Sequence, residues 1–257
     1  MESNFILIFV AFAAIAGLAA YFANEAAKRR RAAFVSLAQR IGFTFYEQGL
    51  GSVHSSSFLG LEFHSSRDSI VGTFEGFDLF RQGENQRAAP VLVGEIDGIH
   101  YYLFDYKYET TSRDSEGRSS TTTHPFSVVA ARTPFMLPSL SLSPQGFLDN
   151  LGKVFGRREI EVESAEFNRR YFIQSPDPRA TLDLLHPMAL EHLLQCDVRP
   201  WQAGGMYLFT FRAGHRDPAE YAEMLDQVRG LLNLVPAYVR EDSGISRPFA
   251  SPTEGLS

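Results

Sequence analysis

About eighteen consecutive residues, FILIFVAFAAIAGLAAYF from Phe5 to Phe22, carry no charge, and Lys28, Arg29, Arg30 and Arg31 follow shortly after. As a helix rising about 1.5 Å per residue, this run reaches about 27 Å, enough for a thin hydrocarbon layer. Glu2 precedes it and no Lys or Arg does, unlike the basic start of a secretory signal. The small residues Ala20 and Ala23 leave cleavage as the alternative reading. Because basic residues stay on the cytoplasmic side, the cluster Lys28, Arg29, Arg30 and Arg31 is the topology determinant. The expectation is a retained transmembrane anchor with its N-terminus outside and its C-terminal body in the cytoplasm, which makes the lipid bilayer the first expected partner. The single cysteine, Cys196, excludes an intrachain disulfide framework and agrees with that side of the membrane.

From Ala32 onward 20 basic residues stand against 28 acidic ones, a net charge of −8. A net acidic body argues against nucleic acid as a partner. From Ala26 to Ile41 there is no Gly or Pro, and Phe34, Leu37, Ala38 and Ile41 recur at helical spacing before Gly42, a fitting C-cap. The helix is therefore expected to leave the membrane and lay one apolar face on the body.

Phe43 and Phe45 begin a strand pattern. Leu50–Ser69 reads as loop with a short apolar element at Phe58–Phe63, and Gly76–Arg81 alternates like a strand. Pro90–Ile96 and Ile99–Tyr106 flank Asp97-Gly98, a pair whose tolerance of positive φ predicts a tight hairpin. Glu109–His124 has no apolar residue and reads as a long exposed loop before a strand at Phe126–Ala131. Pro134, Pro138 and Pro144 then mark Phe135–Leu142 as an edge segment, and Gln145–Phe155 as a short helix follows.

Strands are expected at Ile160–Val162 and Tyr171–Gln174, and helices at Arg179–Leu185 and Met188–Cys196. A second hairpin is expected at Gly204-Gly205, between Arg199–Ala203 and Met206–Arg212. Asp217-Pro218 opens a helix whose stripe is Tyr221, Leu225, Val228, Leu232 and Val235. The fold class is α+β: an N-terminal transmembrane helix, a mostly antiparallel β body and a C-terminal helix. The expected division is 1–31 for anchor and basic cluster, 32–155 for a helix plus antiparallel β domain, 156–236 for an α+β subdomain and 237–257 for a disordered tail.

No catalytic signature is present: there is no GxxxxGK[ST], GxGxxG, GxSxG or HExxH, and one cysteine makes no CxxC. His192 and Cys196, four apart on one helix face with His186 nearby, suit a metal or a Cys–His nucleophile. Met188, Leu190, Leu193 and Leu194 instead make a packed helix with Cys196 as a small buried residue, and that reading is preferred. Glu159, Glu161 and Glu163 read as the solvated face of a strand rather than a cation site, and the pairs Arg157-Arg158 and Arg169-Arg170 as surface charge. Tyr102, Phe104, Tyr106 and Tyr108 fall on one side of a strand and form either a ligand face or sheet-packing core. No catalytic residue, metal or cofactor is assigned.

LFDYKY at Leu103–Tyr108 and FNRRYFIQSPDP at Phe167–Pro178, with GFTF at Gly42–Phe45, LFRQG at Leu79–Gly83, Val91–Gly98 and Leu137–Pro144, resemble an uncharacterised family of bacterial single-pass membrane-anchored proteins. The resemblance spans most of the chain and rests on aromatic, Gly and Pro positions. It implies an inner-membrane location and supplies no activity. The resulting expectation is a non-enzymatic cytoplasmic binding module with an unidentified protein partner. The alternatives are a membrane-tethered sensor of a small molecule or lipid, through Tyr102, Phe104 and Tyr106, and an enzyme of unrecognised type.

Overall fold

Asp97 and Gly98 reverse the chain with φ angles of 54° and 75°, as a type I′ turn requires. They join β2 (Glu84–Ile96) to β3 (Ile99–Arg113) in antiparallel register, Ile96 opposite Ile99. The computed structural model describes residues 2–50, 70–145 and 158–241. The loop expected over residues 51–69 and the helix expected over 146–155 lie outside them, as does the tail from 242.

One seven-stranded sheet organises the described chain, and every pairing in it is antiparallel. β1 (Thr44–Tyr46) lies on β2, β2 on β3, and β3 on β4 (Ser119–Pro144). The first part of β4 pairs with β3, and its end pairs with β6 (Tyr171–Ser175), which carries β5 (Arg158–Ile160). Along its other edge β4 pairs with β7 (Trp201–Ala213). The helices are α1 (Glu2–Ile41), α2 (Ile70–Thr73), α3 (Ala165–Arg170), α4 (Pro178–Leu184), α5 (Pro187–Gln195), α6 (Pro218–Asn233) and α7 (Ala237–Glu241). The α+β class with an antiparallel sheet is what the chain adopts.

The sheet is buried on both faces. One face carries Leu92, Tyr101, Leu103, Val129 and Ala131 against Phe34, Leu37 and Ala38 of α1 and the Tyr221–Leu225–Val228–Leu232 stripe of α6. The other carries Val91, Val93, Tyr102, Phe104, Tyr106 and Val128 beneath Ile70, Phe74, Leu79 and Phe80. Two buried faces explain why Tyr101–Phe104 runs apolar without alternation.

Several expectations are corrected. Gly204-Gly205 makes no hairpin: β7 runs straight through it, and Gly205 uses its φ of 58° in an irregularity opposite Leu137. The proline-marked segment is the second half of β4: it pairs on one side only, with β7, as far as Leu140, and is flanked on both sides, by β7 and β6, at Ser141 and Leu142. Pro134 and Pro138 fall where the register against β7 shifts, between Arg132 and Leu137 and between Leu137 and Leu140, so their missing N–H groups break no ladder bond there. Glu109–His124 is a two-stranded ribbon paired as far as Arg113 opposite Ser119. Its turn is closed by Asp114, whose Oδ1 accepts from the Glu116 and Arg118 amides at 3.0 and 2.8 Å. Its polar, Thr-rich strands are solvated on both faces, which hid them from a pattern that looks for an apolar side. Gly76–Arg81 holds a 3-10 turn at Asp78–Arg81, and Ala237–Glu241 is helical where tail was expected.

α1 ends on Gly42 with φ 72° and a Phe43 amide bond to the Ala38 carbonyl at 2.8 Å, the αL cap that Gly allows. That cap lays Phe43 across Gly94 of β2, where an added Cβ would fall inside the ring's contact surface. Gly94→Ala is expected to cost about 1–3 kcal/mol by forcing Phe43 out of place. Gly204→Ala, whose Cβ would meet its nearest atom at 3.5 Å, is expected to cost under about 1 kcal/mol. Urea unfolding of the two variants measures the difference.

Candidate functional site

Asp105 is the buried carboxylate of the aromatic strand β3, on the face that meets α1 and α6, and is 3% exposed. A buried carboxylate needs a counter-charge and filled lone pairs. Arg30 of α1 supplies both in a forked contact: Nη2 lies 2.8 Å from Oδ1 and Nε 3.1 Å from Oδ2. Arg30 Nη1 donates to the Arg216 carbonyl at 2.6 Å, just before α6. The Tyr221 hydroxyl of α6 donates to Asp105 Oδ1 at 2.5 Å. Burial, and then the Asp105 charge, hold the Tyr221 phenol well above its usual range, so it stays a donor. The approach to α6 is fixed in turn by Ser127, which donates to the Gly214 carbonyl and accepts from the Arg216 amide. One carboxylate thus fastens α1 and α6 to the centre of the sheet.

This divides the basic cluster. Arg30 is turned into the body, whereas Lys28, Arg29 and Arg31 stay exposed, Arg31 pairing at the surface with Glu47 at 2.7 Å and Arg29 with Glu25 at 3.4 Å. Before them α1 continues without interruption away from the body, with Leu18, Tyr21 and Phe22 exposed at 62, 66 and 62%. Among the described residues no helix is long and apolar enough to cross a membrane; the side chains of residues 1–16, most of the apolar run, lie outside that description.

The other expected residues fall as follows. Tyr102, Phe104 and Tyr106 are buried among Phe74, Phe80 and Phe209 and present no open face among the described residues. His192 Nε2 lies 2.8 Å from the Gln227 carbonyl of α6. A carbonyl can only accept, so Nε2 carries the hydrogen and offers the Cys196 sulfur, 3.9 Å away, no base. Burial pushes the Cys196 thiol up, further from a thiolate. His186 likewise bonds the Leu234 carbonyl at 2.8 Å, so both histidines tie α5 to the α6 region. Glu159, Glu161 and Glu163 are exposed while Ile160 and Val162 are buried, and Arg170 is held by the Leu194 carbonyl and Glu166. Among the described residues no three His, Cys, Asp or Glu side chains gather to hold a metal ion.

A groove of about 500 Å³ opens between Met136–Pro138 of β4, Arg179, Ala180 and Asp183 of α4, and Tyr238 and Val239 of α7. Exposed Met136 and Tyr238 give it an apolar wall, and Arg179 and Asp183 put charge at its rim. Its lining comes from segments 40 to 100 residues apart, beyond the reach of local sequence patterns. Asp105 did leave a sequence signal, as the one acid in YYLFDYKY, but its partners at Arg30 and Tyr221 did not.

The class these elements define is an α+β domain in which a long N-terminal helix is ion-paired to a two-faced antiparallel sheet. No family model matches the sequence, and neither does any curated protein. Among solved structures, the crystal structure of the mycobacterial trehalose monomycolate transport factor A, TtfA, is similar, with a TM-score of 0.53 and 12% identity over 79% of this chain and 94% of that one. At that identity the likeness is one of fold.

Arg30→Ala leaves Asp105 buried without a counter-charge and is expected to lower stability by about 3–5 kcal/mol, whereas the double change Arg30→Met with Asp105→Leu recovers most of the loss. Chemical denaturation of the three proteins tests this. The pH response follows from the tyrosines: burial pushes Tyr101 and Tyr102 up to about 12, and raises Tyr221 as well. Groups whose pKa is raised by folding stabilise fully below the unfolded value, near 10 for Tyr, and lose that contribution as pH climbs toward the folded value. Melting temperature is expected to be level across pH 7–9 on this account and to fall between about pH 10 and 12, followed by circular dichroism.

Proposed function

We propose that this chain is a non-enzymatic binding module tethered to the bacterial inner membrane, with the N-terminus of α1 outside and the α+β body in the cytoplasm. The observation that carries the reading is the arm itself. α1 runs unbroken from the apolar stretch into the body, exposes Leu18, Tyr21 and Phe22, and then exposes Lys28 and Arg29. Lys28 lies six residues beyond Phe22, about 9 Å along the helix, the depth at which a lipid headgroup layer follows a hydrocarbon core. Arg30 is engaged by the body, so the topology signal rests on Lys28, Arg29 and Arg31.

The process favoured is lipid handling, in concert with a protein partner. The mycobacterial protein of similar fold is by its name a transport factor for trehalose monomycolate. The polar ribbon of Glu109–His124 projects beyond Phe126, where β7 stops pairing with β4, and offers unpaired strand edges to a partner among the described residues. A second reading, direct binding of an apolar ligand, has the groove of Met136, Pro138 and Tyr238 in its favour. The aromatic set Tyr102, Phe104 and Tyr106 belongs to the core and gives it less support.

Fractionation of cells expressing the full chain and a form lacking residues 1–24 tests the tether. The full chain is expected in the membrane fraction after alkaline carbonate washing, and the shortened form in the soluble fraction. Release of the full chain by carbonate would sink the proposal. A reporter fused after Ser257 is expected to be active only where its activity requires the cytoplasm.

A further inference from the structure

Arg199, in the segment joining α5 to β7, is 2% exposed, and its Nε, Nη1 and Nη2 are all buried without a hydrogen-bond partner. A guanidinium in that position carries five N–H donors and a full charge out of water, which is strongly unfavourable unless an anion meets it. The face of Trp201, 5.7 Å from the guanidinium carbon, offsets only part of that. Two more buried polar groups lie beside it, the Trp201 indole N–H and the Tyr171 hydroxyl; the indole and the Arg199 amide lean on the phenol oxygen without closing a good hydrogen bond, and the phenolic O–H has no acceptor.

The neighbouring carboxylates Asp197 and Glu223 act on Arg199 only through space, and neither hydrogen-bonds it. Asp197 and Glu220 both take Arg212, and Glu223 accepts from Gln227 Nε2 at 2.9 Å. Arg212 adds a second positive charge to the surroundings of Arg199. Buried donors from β6, β7 and the turn before β7 therefore lie side by side, and what is missing is a charged acceptor within hydrogen-bond reach of the guanidinium.

We propose that Arg199, the Trp201 indole N–H and the Tyr171 hydroxyl form an internal binding site for a phosphate-type oxyanion, either free phosphate or the headgroup of a phospholipid. The guanidinium fork takes two oxygens, and the indole and phenol take the others. The site lies one residue from Val198 and two from Asp197, both exposed, so displacement of this short turn opens it to solvent. It stands independently of whether α1 enters a bilayer.

Thermal unfolding of the purified full-length protein in detergent tests this, in sodium chloride, in sodium phosphate of equal ionic strength, and with dioctanoyl phosphatidic acid. The wild-type melting temperature is expected to rise with phosphate, with the lipid, or with both, since a ligand bound only by the folded state stabilises it. A response to the lipid alone assigns the headgroup, and a response to inorganic phosphate assigns the free anion as sufficient. Arg199→Met is expected to abolish the rise and, in chloride, to melt no lower than wild type, because an unpaired buried charge has gone. Tyr171→Phe is expected to weaken the apparent affinity about tenfold. It removes a hydroxyl whose proton has no acceptor in the protein, so it decides the matter should Arg199→Met not fold. Equal melting of the wild type in all three solutions, a rise that persists in Arg199→Met, or full affinity in Tyr171→Phe each overturns the proposal.

Discussion

A carboxylate placed in the middle of an aromatic strand cannot be left alone, and the way Asp105 is satisfied sets the arrangement of the whole helical layer. Its partners come from positions 30 and 221, with the Arg216 carbonyl completing the Arg30 fork. Helix packing on an apolar sheet face tolerates sliding and rotation, because hydrophobic contact has no direction. A forked guanidinium contact does have direction, so α1 meets the sheet at one height and one rotation, and Phe34 and Leu37 are then carried into the core one and two turns later. The arrangement adds specificity more than net stability, since desolvating two charges consumes most of what their attraction returns.

β4 holds the other half of the fold together. Its first part is sandwiched between β3 and β7 and its last part between β6 and β7, so a single 26-residue strand links the β2–β3 meander to the elements after residue 158. The register shifts near Leu137 let so long a strand bend, and they are where prolines are admitted. The groove lined by Met136 and Pro138 lies at that irregular stretch, with α4 and α7 as its other walls.

What could be read in advance was whatever depends on neighbours in sequence. The Asp97-Gly98 turn, the Gly42 cap, the Asp217 N-cap and the α6 stripe all follow from short-range rules, and all are present. Gly204-Gly205 misled because positive φ serves a strand irregularity as well as a reversal, and only the pairing of β7 with β4 decides between them. The ribbon at Glu109–His124 escaped because strand patterns are sought through an apolar face, which a doubly solvated ribbon lacks. Arg30 looked like one of four equivalent charges until Asp105, 75 residues away, singled it out. Tyr102, Phe104 and Tyr106 had a one-sided look that the burial of both sheet faces removed. The groove and the orphaned Arg199 cluster depend on tertiary assembly throughout and left no local trace.

The unbroken backbone of α1 between Phe22 and Arg30 makes the helix a keyed shaft. Whatever holds its far end also fixes the compass bearing of the body around the helix axis, because no hinge intervenes to absorb a turn. Each residue added or removed in that interval swings the sheet by about 100° and shifts it by about 1.5 Å along the axis. Change of length there would redirect the groove and the polar ribbon toward a different quarter without altering a single residue of either, and a step close to whole turns, such as about seven residues, would return them nearly to their bearing. The spacing between the apolar run and the forked arginine is thus a setting of direction as much as of distance.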